Sequence, residues 1–243
     1  MRNAELKIAI FGLLFIILTS PIFSNGDTIT DSTNGKILYV GGSGEGNYTS
    51  IQAAINAAEN GDIIFVYHGE YREHILVNKR LSILGESMHD VIVDGSTTGR
   101  VFSIVVDSVK ICNLTIKNGG NHDGDAELYI TSNNNIIENN HIFHSSNGDW
   151  SACIYLYGAN RNTIRDNSII RNFFGIRLKK SDYNKIYTNN ISQQTSVGSG
   201  IEIGVSAYNE IYGNSLTWMY AGITVYGHDN TINSNEINGC TRG

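Results

Sequence analysis

Between Asn135 and Ile237 the chain writes one pattern five times: Asn, any residue, Ile, two residues, a second Asn, any residue, then Ile or Leu. The copies begin at Asn135, Asn162, Asn184, Asn209 and Asn230, at intervals of 27, 22, 25 and 21 residues. A period in the low twenties is the mark of stacked repeats, each a supersecondary unit too small to bury its own apolar face. An apolar version, Val109-x-Ile111-x-x-Leu114-x-Ile116, stands 26 residues ahead of the first Asn copy.

A second motif interleaves with the first: Leu128-x-Ile130, Ile154-x-Leu156, Gly175-Ile176-x-Leu178, Gly200-Ile201-x-Ile203 and Gly222-Ile223-x-Val225. One repeat therefore holds three very short strands whose inward residues lie two apart. Such coils, stacked with in-register parallel pairing, predict an all-β right-handed parallel β-helix in which each coil gives one rung to each of three sheets. A leucine-rich repeat has a similar period, but it has one strand per repeat and a longer return segment; here the return segments carry apolar pairs of their own. The two Asn columns, led by Asn135 and Asn140, are expected to form structural ladders, with the Asn140 column at a bend in left-handed backbone.

Composition agrees. Gly is abundant at 26, charged residues are only 16%, and there is one Pro, a residue that would remove a ladder donor from any interior strand. At 243 residues with one period the chain reads as a single repeat domain. A net charge of −6 argues against a nucleic-acid partner, which calls for a basic stripe. Cys112, Cys153 and Cys240 are far apart and form no C-x-x-C pair, and no disulfide is expected between them.

Residues 1–24 place Arg2 and Lys7 ahead of an apolar run from Ile8 to Leu18, a secretory signal pattern with cleavage near Ser24. The run is shorter than the about 20 residues of a membrane span, so no stable span is expected after cleavage and the protein is expected outside the cytoplasm, an uncleaved anchor being the other reading. Residues 25–46 read as a linker with a first strand at Ile37-Leu38-Tyr39-Val40, and residues 47–243 as the β-helix. Within it, a cap helix over about 50–60 is opened by Ser50, closed by Gly61, and apolar on one face through Ile51, Ala54, Ile55 and Ala58; coils follow from 62 to 243. Asn47, Asn113 and Asn190 head N-glycosylation triplets. No second capping element follows Ile237, which leads to the expectation of end-to-end association, a partner, or a further C-terminal region.

The stretch from Thr49 to Ala58, with Gly61-Asp62-Ile63-Ile64-Phe65-Val66 and Gly69-Glu70-Tyr71-Arg72-Glu73, resembles the start of pectin-lyase-like β-helix proteins. The Asn-x-Ile-x-x-Asn-x-Ile coils with Gly-Ile-x-Leu look like the NosD-type branch. The resemblance spans almost everything after residue 37 and implies the fold; it leaves activity open, because such coils serve lyases, hydrolases, epimerases, copper-enzyme accessory proteins and surface proteins alike. The hydrolase, epimerase and methylesterase signatures of that superfamily are not found: Gly227-His228-Asp229 replaces Gly-His-Gly, and Arg177-Leu178-Lys179 precedes the His.

Stacking the coils gives the outward residues of the Gly-Ile-x-Leu strand. One column is Tyr129, Tyr155, Arg177, Glu202 and Thr224; its neighbour is Thr131, Tyr157, Lys179, Gly204 and Tyr226. Tyr155, Tyr157 and Tyr226 suit sugar rings, and Arg177 and Lys179 suit carboxylates, so this face is the expected site for a polysaccharide or surface glycan. If the chain were instead a lyase of the superfamily, the resemblance makes Arg177 or Lys179 the base and Glu202 a calcium ligand or a partner of the base. Asp123, Asp125 and Asp149 sit in loops that precede this strand and are the candidates for calcium, although no cofactor is required by this reading. His141 and His144 share neither a strand face nor a helix turn, so a copper site from this chain alone is not expected; copper would enter only through a partner.

Overall fold

The computed structural model describes residues 35–144, 150–171, 173–192 and 198–242. The signal-like segment 1–24 and Asp149 lie outside the described residues.

Three parallel sheets run side by side along a solenoid, a right-handed parallel β-helix. Sheet A has nine strands, from Ile37–Val40 to Thr231–Asn233; sheet B has eight, from Gly69–Arg72 to Glu236–Asn238; sheet C has seven, from Ile75–Val77 to Ala221–Val225. The chain visits A, B and C in turn in each coil, and every neighbouring pair is in register: Ile111 faces Ile137, Ile164, Ile186, Ile211 and Ile232 down sheet A. The alternation of short strands decides this register, because a slip of one residue would turn the whole Ile column out to water. From Val40 to Leu216 these inward Ile, Leu and Val side chains form one continuous core, most of them wholly buried. The first strand, Ile37–Val40, pairs with Ile63–Val66 and so is the first rung of sheet A.

The Asn columns are ladders. Asn140, Asn167, Asn189 and Asn214 are buried, and each Nδ2 donates to the Oδ1 of the next Asn at 2.9–3.1 Å. That Oδ1 also accepts the backbone N–H of the Asn before it, so each side chain ties two coils together. The left-handed backbone sits one residue earlier than expected. Asn139, Asp166, Thr188, Gly213 and Ser234 have φ between 52° and 63°, and Asn134, Arg161, Tyr183, Tyr208 and Asp229 do the same before the other column. The left-handed residue turns the chain inward, and the Asn that follows occupies the corner with its amide.

The cap helix, α1 (Ile51–Ala57), buries Ile51, Ala54 and Ile55 against the first coils. Ser50 Oγ accepts Ala53 N–H as expected, but α1 ends at Ala57, short of Gly61. Lys79 Nζ reaches the carbonyls of Asn56 and Ala58 at 2.7 Å and holds that end, while Gly61, at φ 95°, turns the chain into sheet A. The other end of α1 is held by a residue from a later coil: the Glu73 carboxylate accepts Ile51 N–H at 2.8 Å and Gln52 N–H at 2.9 Å. Glu73→Ala removes both bonds and the favourable charge at a helix N-terminus, and is expected to destabilise the cap by about 2 kcal/mol. Hydrogen exchange reads this directly: the α1 amides should lose protection while those of sheet A beyond Ser82 keep theirs, and unchanged α1 protection would contradict it.

At the far end, the strands Ala221–Val225, Thr231–Asn233 and Glu236–Asn238 are the last in their sheets, and the core columns surface there, Ile232 being 41% and Val225 40% exposed. The three cysteines are free thiols. Burial pushes the Cys112 thiol up to about 11, with Lys110 opposing and Glu138 adding to the rise.

Candidate functional site

Sheet C brings the outward columns together as the stacking predicts: Tyr129, Tyr155, Arg177, Glu202 and Thr224 pair rung to rung, and Tyr157 pairs with Lys179. At the entry to each strand the chain packs on both faces. Ala126, Ala152 and Phe174 lie outside in a small second apolar cluster with Phe173 and Tyr155, and Trp150 stacks on Phe173 at 5.1 Å. The residue that follows each of them points inward. That inner column reads Glu127, Cys153, Gly175, Gly200, Gly222, and the glycines make room: a Cβ on Gly175 would lie 2.5 Å from Gly200 O and 2.7 Å from Ile191 Cγ2.

The second cluster changes what the site offers. Tyr155 is 4% exposed, so its ring is not presented to a ligand as expected from the sequence. Its edge meets Tyr129 at 5.4 Å, and the Arg177 guanidinium lies 5.2 Å from its centroid and 4.6 Å from that of Phe174. Burial pushes the Tyr155 hydroxyl up to about 12, against the opposing charge of Arg177. Tyr155 is therefore a wall of the site.

Arg177 is likewise committed. Nε donates to Glu202 Oε1 at 2.8 Å, and Nη1 donates to Asp123 Oδ1 at 2.7 Å, across 54 residues of sequence. Burial pulls the guanidinium down, but the charge and hydrogen bond of Glu202, with Tyr155 and Asp123, outweigh it and hold Arg177 above its ordinary value. The guanidinium is thus engaged by both carboxylates. Asp123, placed in the calcium set by its loop, pairs with Arg177, and Asp125 Oδ2 accepts His122 N–H at 3.0 Å. Among the described residues no three His, Cys, Asp or Glu gather as a metal-ligand set. Loop 118–125 is anchored from below, where the buried Glu127 accepts Gly119 N–H and meets His144 Nδ1 at 2.9 Å.

The second column stays open. Tyr157 is 38% and Tyr226 72% exposed; Lys179 lies between them, with Lys180 Nζ 6.0 Å from the Tyr157 ring. Gly204 leaves the position between Lys179 and Tyr226 without a side chain, beside Glu202 and the exposed Val205. The result is a shallow strip with aromatic ends, a cationic middle and a Glu202–Arg177–Asp123 border. Sequence reading missed the outer cluster, although the Phe173-Phe174 pair directly ahead of Gly175-Ile176 signals it: two large apolar residues in a row cannot both face the core of a strand. Of the glycosylation triplets, Asn113 and Asn190 stand exposed, and the Asn47 amide donates to Gly41 O at 2.6 Å.

Residues 82–241 match the family described as the right-handed β-helix region, and the chain belongs to that family. The match is to the family at large and does not distinguish a NosD-type branch. Among solved structures, a pectin methylesterase from rice weevil is similar with a TM-score of 0.51 at 12% identity, over 91% of this chain and 92% of that one. A pectin methylesterase from carrot gives 0.49 at 15% identity over 88% and 85%, and PemA, a pectin methylesterase from Erwinia chrysanthemi, gives 0.49 at 9% over 84% and 92%. At these identities the likeness is one of fold. No curated protein matches the sequence.

Proposed function

We propose that this chain is an extracytoplasmic carbohydrate-binding protein that lays a glycan along the open column of sheet C. The observation that carries the reading is the alignment of Tyr157, the half-buried Lys179, the Gly204 gap and Tyr226 on successive rungs, with both tyrosines exposed. At the roughly 4.8 Å spacing of paired strands, Tyr157 and Tyr226 stand about 14 Å apart, the reach of an oligosaccharide rather than of one sugar. Tyrosine supplies a flat apolar surface with a polar tip, and Lys179 a point charge for a carboxylate on the polymer. The signal-like segment 1–24 and the exposed triplets at Asn113 and Asn190 support secretion and glycosylation. Among the described residues no helix is long and apolar enough to cross a membrane.

Affinity electrophoresis against neutral glycans and uronans tests this. A Tyr157→Ala, Tyr226→Ala double variant is expected to weaken binding about 10- to 100-fold. Lys179→Ala should weaken uronan binding more than neutral-glycan binding. Retention of full affinity by the double variant would refute the assignment, and release of an unsaturated, ultraviolet-absorbing product from a uronan would make the protein a lyase.

A further inference from the structure

His141 and His144 are close in sequence but stand on opposite sides of the wall. His144 is wholly buried against Glu127, whereas His141 is on the outer face of sheet B, where Ile92, Thr115 and His141 occupy successive rungs. The imidazole that approaches His141 comes from elsewhere: the His89 ring, 52 residues upstream, lies 6.2 Å away centroid to centroid, tilted by 57°.

We propose that His89 and His141 together bind a divalent transition-metal ion of the zinc class on this face. Reach supports it. With metal–nitrogen bonds of about 2.1 Å and the ring centre about 1.1 Å behind each nitrogen, one ion holds two imidazole centroids at most about 6.5 Å apart and about 5.3 Å apart at a tetrahedral angle. The observed 6.2 Å falls inside that limit, and a closure of about 1 Å by the exposed His89 side chain completes tetrahedral geometry.

The surroundings support it further. Thr115 Oγ1 donates to Met88 O at 2.7 Å, which pins the loop carrying His89 over the sheet. Phe143 packs against His141 at 5.0 Å and gives it an apolar backing that limits its orientations. An open groove of about 670 Å³ adjoins His89, lined also by His68, Glu86, Ser87, Asp90 and Ile92. Glu86 is already held by His68, through both the backbone N–H and Nδ1 at 3.0 Å, so water completes the coordination of the histidine pair. Imidazole with carboxylate or water suits zinc and cobalt, whereas calcium and magnesium ask for all-oxygen shells.

Calorimetric titration of untagged protein with Zn²⁺, and the visible spectrum on adding Co²⁺, test the site. One ion per chain and a tetrahedral Co²⁺ band are expected, with affinity more than about tenfold weaker in both His89→Ala and His141→Ala. His68→Ala, in the same groove, should retain binding. No binding heat in the parent protein, unchanged affinity in either variant of the pair, or an equal loss in His68→Ala would each overturn the proposal. Circular dichroism and thermal midpoints matching the parent show that His89→Ala and His141→Ala are folded; should His141→Ala fail to fold, the exposed His89→Ala decides alone.

Discussion

Asn167→Ala is expected to lower the unfolding free energy by about 3–5 kcal/mol, a large share of the about 5–15 kcal/mol that holds a domain together. The buried Asn167 side chain makes five bonds. Its Nδ2 donates to Asn189 Oδ1 at 3.0 Å and to the carbonyls of Ile137 and Arg165 at 2.9 Å; its Oδ1 accepts Asn140 N–H at 3.0 Å and Asn140 Nδ2–H at 3.1 Å. Alanine leaves a buried backbone donor on one coil and breaks the amide tie to the next, where water does not reach. Asn167→Asp should be no milder, because a second oxygen would then face the carbonyls of Ile137 and Arg165 and the Asn189 Oδ1. Asn235→Ala, at the half-buried foot of the same ladder, should cost about 1–2 kcal/mol, since solvent takes over part of its bonding. Urea midpoints for the three variants check this, and a loss below about 1 kcal/mol for Asn167→Ala would mean that the ladder is not what ties the coils. Because a solenoid is held by neighbour contacts, hydrogen exchange should show protection falling first in the coils next to Asn167.

Gly175→Ala is expected to destabilise by about 2–3 kcal/mol, the upper part of the range for overpacking. The added methyl meets a backbone carbonyl, Gly200 O at 2.5 Å, as well as Ile191 Cγ2 at 2.7 Å, and a carbonyl committed to a sheet cannot rotate away as a side-chain tip can. The effect belongs to packing and not to backbone freedom. Gly158 has φ 63°, and a methyl placed there would meet nothing within 4 Å, so Gly158→Asn, a residue that tolerates left-handed backbone, should be nearly neutral. Thermal midpoints of the pair separate the two roles of glycine; equal shifts would show that the interior column is not packed as described.

The contrast between what was legible and what was not runs through particular residues. The Ile columns, the Asn ladders, the helix opened by Ser50 and the outward columns of sheet C all follow from short-range pattern. Alternation of two assigns each strand residue to a face, and recurrence every 21–27 residues assigns it to a rung. Where the pattern was read one residue out, at the left-handed corners, the cause is local: Asn is itself a common left-handed residue, and only the inward aim of Asn140 or Asn167 shows that Asn139 and Asp166 take that role. Glu73, which holds the start of α1, was invisible because it acts from the following coil.

The sites depend on what does not repeat. Asp123 reaches Arg177 because loop 118–125 folds back over sheet C, and His89 reaches His141 because the loop before Val91 folds over sheet B. No period specifies either path. By itself the sequence determined a stack of three-stranded coils, their register and which side chains face out, since strand alternation and ladder bonding act within a coil and its nearest neighbour. Only the tertiary structure decided that Tyr155 is covered, that Arg177 is neutralised by two carboxylates, and that Tyr157, Lys179 and Tyr226 remain open. Burial and ion pairing on the outer faces are set by loops of unequal length closing over a regular surface, and their contacts span tens of residues.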